Sequence, residues 1–142
     1  KKELYDQELV LRFIAFLNKV DEVNSNTEAF LDKFMENAVK DHDFNENYYR
    51  DTFTKVIKML KEVCGELVFR NERNAFVPAY YEGIMIGIAQ NIEKYQINPQ
   101  LISERVILLK EDNDFKKYSG SASNSRSRVK NRLTRANKIF SQ

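Results

Sequence analysis

Apolar residues recur along this chain with the period of a helix rather than that of a strand. Leu9, Phe13, Phe16 and Val20 fall on one stripe, with Val10, Ile14 and Leu17 beside it, a broad apolar face that predicts a well-buried first helix. Asn24 to Asn26 form a polar break. Thr27 and Glu28 then serve as cap and first-turn acid for a second, amphipathic helix with apolar positions Phe30, Leu31, Phe34, Met35 and Val39. Asp41 to Asn47 read as a connector. Beyond it, Tyr48, Phe53, Val56, Ile57, Leu60 and Val63 keep helical spacing up to Gly65, a residue suited to a helix end. The apolar run Leu67-Val68-Phe69 reads as a short extended segment. Pro78 fits the first turn of a fourth helix through Tyr81, Ile84, Met85, Ile88 and Ile92, because its missing N–H costs nothing there. Gly83 and Gly87, one turn apart in that helix, leave room for a closely packed neighbour. Asn98 and Pro99 repeat the start signal ahead of a fifth helix with Leu101, Ile102, Val106 and Leu109. The small-residue loop Gly120 to Ser125 offers serines to cap a last helix carrying Val129, Leu133, Ala136 and Phe140 on its inner face. The expected architecture is all-α, a single-domain bundle of about six helices over residues 1–142.

Composition narrows this picture. Among 142 residues, 42% apolar and 31% charged, there are two prolines, four glycines and no Trp, too few breakers for a sandwich or barrel. The lone Cys64 excludes an internal disulfide and a Cys-only zinc site and fits a reducing, cytoplasmic setting. The longest apolar run, around Ile84 to Ala89, falls far below the roughly 20 residues that cross a bilayer, so no membrane partner is expected. The opening Lys1-Lys-Glu-Leu-Tyr5 lacks the apolar segment of a signal peptide and reads as part of a longer protein.

Charge adds the first functional hint. Residues 1–114 hold 15 basic and all 21 acidic side chains, a net −6, whereas the tail from Phe115 carries eight basic residues and no acid. A basic end of this kind can lie against the acidic body, an acidic partner domain or a polyanion such as DNA. The cations concentrate in the last helix. At about 100° per residue, Arg128, Arg132 and Arg135 share one stripe beside the apolar face, with Lys130 and Lys138 further round. With Ser123, Asn124 and Arg126 at the helix start, this arrangement has the chemistry of a phosphate contact: free N–H groups, the positive end of a helix dipole and guanidinium forks. Ser123, Asn124, Arg126, Arg128, Lys130, Arg132 and Arg135 are therefore the candidate nucleic-acid-binding residues. The competing reading pairs the same arginines with carboxylates of the body, and a third makes the helix a protein interface.

Catalytic chemistry is thinly supported. Asp41-His42-Asp43 places a His between two carboxylates, but adjacent residues in one loop rarely converge on one ion and there is no second His, so an exposed acidic turn is expected. Glu111 to Asp114 lacks the central Gly and distal Glu of a calcium loop and reads as a solvated helix end. Asp114-Phe-Lys116 has an acid-x-Lys spacing without the strand a nuclease centre needs. Cys64, at a helix end, reads as packing rather than a nucleophile. No metal site, catalytic residue or cofactor is expected in this chain.

The segments Asp6 to Phe16, Phe30-Leu-Asp-Lys-Phe-Met35, Val68-Phe-Arg70, Gly120 to Asn124 and Arg128-Val-Lys-Asn-Arg132 together resemble the C-terminal helical part of the domain of unknown function 262 family. Its members are similar to the GmrS half of GmrSD-type restriction systems. The resemblance covers Tyr5 to Ile139, and its first segment is the most specific. It implies a restriction or phage-defence parent with an N-terminal ParB-like domain whose Asp-Gly-Gln-Gln-Arg-type motif is tied to nucleotide hydrolysis or DNA cleavage. That motif is absent here, so no catalytic residue carries over, and the implied role is a non-catalytic module that contacts DNA phosphates or orients the catalytic domain. The alternative is a protein-interaction or oligomerisation module, with the basic helix packed internally and the parent's N-terminal domain or a second copy as partner.

Overall fold

The computed structural model describes residues 2–19, 26–120 and 126–142, with side chains described for 6–18, 26–120 and 128–142. Among the described residues eight helices follow in order: α1 (Lys2–Lys19), α2 (Thr27–Lys40), α3 (Glu46–Val63), α4 (Pro78–Gln90), α5 (Ile92–Ile97), α6 (Leu101–Glu111), α7 (Asn113–Tyr118) and α8 (Arg126–Phe140). The all-α expectation holds among the described residues. The helix count rises because α5 and α7, six residues each, are too short to leave a periodic signature. Val20, Asn24 and Ser125, which entered the expected helix ends and loops, lie outside the described residues.

The most apolar helix takes the centre, because a helix that is apolar all round has no face to offer water. In α4 every residue from Tyr81 to Ala89 is buried, and α8, α1, α3 and α6 pack around it. Pro78 stands at its first turn as expected. The helix stops at Gln90 rather than continuing through Ile92. Asn91 leaves helical geometry, and its side-chain amide donates to the Gly87 carbonyl at 2.8 Å and to Asn137 Oδ1 of α8 at 3.0 Å.

The glycine pair does admit neighbours. A Cβ added at Gly83 would meet Phe115 of α7 at 2.9 Å, and one added at Gly87 would meet Phe140 of α8 at 2.5 Å. The expected inner face of α8 is also realised, since Val129, Leu133, Ala136 and Phe140 are all buried. The end of α8 is held by two neighbours: Tyr95 Oη of α5 donates to the Phe140 carbonyl, and Arg105 Nη2 of α6 to that of Gln142 at 2.9 Å.

Three local expectations are corrected. Asn26, rather than Thr27, caps α2: its side chain accepts from the Ala29 N–H at 2.9 Å, while Thr27 is buried at the first helical position. Leu67 to Phe69 form turns rather than an extended segment, and the nearest thing to pairing is one antiparallel bridge, Arg70 to Phe76. Asn71 and Asn74 shape the turn between them: Asn71 Oδ1 accepts from the N–H groups of Arg73 and Ala75, and Asn74 adopts a φ of 62°. Finally, the apolar stripe of α2 is only half covered. Phe30, Leu31 and Phe34 are buried, but Met35 and Val39 are exposed, at 46% and 77%.

The close approach at Gly87 is testable. Gly87→Ala forces a methyl into the fully buried Phe140 ring, so a loss of roughly 1–3 kcal/mol is expected by urea unfolding. Adding Phe140→Leu should restore part of it.

Candidate functional site

The last helix is the natural place to look for function, and the structure divides its candidate residues sharply. Ser123 and Asn124 lie outside the described residues, and Arg126 opens α8 with its side chain outside the described set. Lys130 is exposed, as are Lys116, Lys117 and Lys138. The three arginines of the stripe turn the other way.

Arg132 is among the most deeply buried side chains, 1% exposed. Its Nη2 and Nε donate to Glu82 Oε1 of α4 at 2.5 and 3.1 Å. The other oxygen, Glu82 Oε2, accepts from Arg12 Nη1 of α1 at 2.6 Å, and Arg12 also reaches Glu8 Oε1 at 3.3 Å. A carboxylate buried inside an apolar helix thus stands between two guanidiniums from two other helices, where removal from water is offset by charge-assisted hydrogen bonds on both oxygens. Arg132 thus faces Glu82 rather than solvent, and reaching an external phosphate would mean breaking this buried pair.

Arg135 grips Asp112 through two parallel bonds, Nη2 to Oδ1 at 2.6 Å and Nε to Oδ2 at 2.9 Å. Asp112 Oδ2 also accepts from the Phe115 N–H at 2.9 Å and so caps α7. The Arg135 guanidinium, together with that N–H, holds the Asp112 carboxyl below the usual carboxylate range, and the same pairing pushes Arg135 up. At the opposite end of α7, Arg128 Nη1 donates to the Lys117 carbonyl at 2.5 Å and Arg132 Nη1 approaches that of Tyr118 at 3.4 Å. The stripe Arg128, Arg132, Arg135 therefore spans α7 from its carbonyl end to its capping carboxylate. This suits a helix of six residues, too short to persist by its own backbone bonds.

The other candidate chemistry does not gather. His42 is exposed in a turn where the Asp43 N–H donates to Asp41 Oδ1 at 2.9 Å, and among the described residues no three His, Cys, Asp or Glu converge as a metal site would. Asp114 and Lys116 lie in α7 rather than on a strand. Cys64 ends α3 with Sγ 3.9 Å from Ser103 Oγ, and burial pushes its thiol pKa up, away from a reactive thiolate. No helix among the described residues is long and apolar enough to cross a membrane.

Sequence reasoning missed Glu82, Arg12 and Asp112. Glu82 had a signal: it is the one charge in the apolar run from Ala79 to Ala89, where a carboxylate must find a buried cation. In sequence Asp112 looks like part of a solvated helix end, because α7 after it is too short to announce itself.

The buried cluster makes two predictions. Glu82→Gln keeps the shape but leaves two guanidiniums without their counter-charge, so a loss of about 3–5 kcal/mol in chemical unfolding is expected. Replacing Arg12, Glu82 and Arg132 together by Leu should recover most of that loss. For Asp112, a folded pKa below the ordinary carboxylate value of 3.8 means its stabilisation is full above that value and fades as pH falls through the folded value. The Tm gap between the parent chain and Asp112→Asn should accordingly be widest near neutral pH and narrow on acidification below the ordinary carboxylate range. The chain matches no family model, no curated protein and no solved structure.

Proposed function

We propose that this chain is a helical protein-interaction module in which the basic C-terminal helix is internal scaffold, and that it serves a restriction or phage-defence parent of the kind its motifs resemble. One observation carries the reading: two of the three stripe arginines are spent on the chain's own carboxylates, Arg132 on Glu82 and Arg135 on Asp112, and Arg128 binds the carbonyl end of α7. A guanidinium held by two short bonds to a buried carboxylate offers little to a phosphate, so the bonds seen here favour the internal role over the phosphate-gripping one. In this reading the module's chemistry is recognition, and hydrolysis or cleavage belongs to the N-terminal domain that the resemblance implies.

A second reading keeps the polyanion as partner. It is favoured by the exposure of Lys116, Lys117, Lys130 and Lys138 in a tail without a single acid. Contacts from such lysines would position a phosphate backbone without reading its sequence.

Salt separates the two. On the interaction reading, a fluorescent DNA duplex is bound weakly, and Lys116, Lys117, Lys130 and Lys138 can all be changed to Glu without altering what the module does. Binding that falls roughly 1,000-fold or more between 50 and 200 mM salt, and that vanishes in the fourfold lysine variant with its melting curve intact, would overturn it.

A further inference from the structure

We propose that the groove between α1, α2 and α3 is the docking site for a basic amphipathic helix of a partner protein. The inference rests on the interaction-module reading and names the partner's chemistry.

The groove encloses about 840 Å³. Its apolar lining includes Val10, Leu11 and Ile14 of α1 and Phe34, Met35 and Val39 of α2. Met35 and Val39 continue the stripe that Phe30, Leu31 and Phe34 begin, yet no described element covers them. A helix that keeps its apolar periodicity past the point where its own fold buries it presents a face suited to something else. The far end is walled by rigid aromatic packing, with Phe44 edge-on to Phe34 at 5.8 Å and stacked on Tyr49 at 5.5 Å. Because Val39 stands 77% exposed on the lip, an occupant that buries it must extend over α2, as a helix does and a small enclosed molecule does not. The span of α1 from Asp6 to Ile14 matches about two helical turns, room for apolar anchors at i, i+3 or i+4, and i+7.

Charge selects among helices. The rim carries Asp6, Glu8 and Glu46 against Arg50, a net negative charge; Glu46 pairs with Arg50 at 3.0 Å and Glu8 with Arg12 at 3.3 Å, so Asp6 is the carboxylate that leads the attraction. Such a rim attracts lysines and arginines flanking an apolar face and repels an anionic membrane surface. It also disfavours a second copy docking through Ile107 and Leu108 of α6, since that exposed apolar pair is flanked by the exposed carboxylates of Glu104 and Glu111; docking of a copy through any other face is an outcome the self-association measurement below detects.

The test uses the whole chain and synthetic amphipathic helical peptides with Leu anchors and either Lys or Glu flanks, read by fluorescence anisotropy. The Lys-flanked peptide should bind saturably and the Glu-flanked one at least about tenfold more weakly. Met35→Ser with Val39→Ser, both exposed positions, should weaken binding about tenfold with an unchanged melting curve, Asp6→Lys should weaken the Lys-flanked peptide selectively, and Ile107→Ser on α6 should change nothing. Equal binding of both peptides, indifference to the Met35 and Val39 changes, self-association abolished by those changes, or capture by anionic vesicles instead of peptide would each overturn the proposal. None of these readouts involves the α8 cations, so a failure here leaves the scaffold role of that helix standing, and a failure of that role leaves the groove standing.

Discussion

The structure depends on one buried carboxylate. Glu82 sits in the most apolar helix of the chain, almost wholly removed from water, and is tolerable there only because Arg12 and Arg132 each bring a guanidinium to one of its oxygens. That requirement is geometric as well as energetic. Apolar side chains can slide past one another at modest cost, whereas two guanidiniums meeting the two oxygens of one carboxylate admit a single relative placement of α1, α4 and α8. A buried ion group of this sort adds less net stability than its Coulomb attraction suggests, since desolvation takes most of it back. We assign it the role of setting register among three helices whose remaining contacts are largely aliphatic and aromatic.

The same economy governs the surrounding helices. Gly83 and Gly87 let α7 and α8 approach α4 until aromatic rings touch its backbone ridge. That close approach carries Arg132, four residues before Ala136 on the same face of α8, onto Glu82. The arginines on either side then find α7 within reach, Arg128 meeting the Lys117 carbonyl and Arg135 the capping carboxylate of Asp112. Packing at two glycines and pairing at one glutamate are thus a single arrangement viewed from two sides of α8.

Much of this was legible in the linear pattern. The long helices announce themselves by period, Pro78 and Gly65 mark a beginning and an end where expected, and the glycine pair correctly foretells a close neighbour. What escaped follows from physical scale. Helices of six residues contain less than two turns, so neither α5 nor α7 shows a period. Leu67 to Phe69 carry strand-like residues but find no partner strand, and tertiary context folds them into turns. Met35 and Val39 obey the same periodicity as their buried neighbours, and nothing local reveals that the fold stops short of covering them. Charge and spacing single out five of the seven candidate phosphate residues, and position at the helix start adds Ser123 and Asn124. Spacing correctly put Arg128, Arg132 and Arg135 on one face, but charge is silent about which way that face looks.

The chemical difference between the two kinds of cation supplies what charge alone does not. In the described part of the tail, the cations turned inward are arginines and those left in water are lysines. This sorting follows from their hydration. A guanidinium is planar, weakly hydrated and able to meet both oxygens of a carboxylate, so burial against Glu82 or Asp112 costs it comparatively little, whereas an ammonium is a compact, strongly hydrated charge that resists leaving water. An arginine stripe bordering an apolar helix face, in a chain that also hides a carboxylate within its most apolar segment, is therefore well suited to joining helices. By the same logic, pairing with Glu82 and Asp112 cancels the charges of Arg132 and Arg135, so steering towards an outside partner draws on the exposed lysines and the charges left unpaired rather than on the full +8 of the tail.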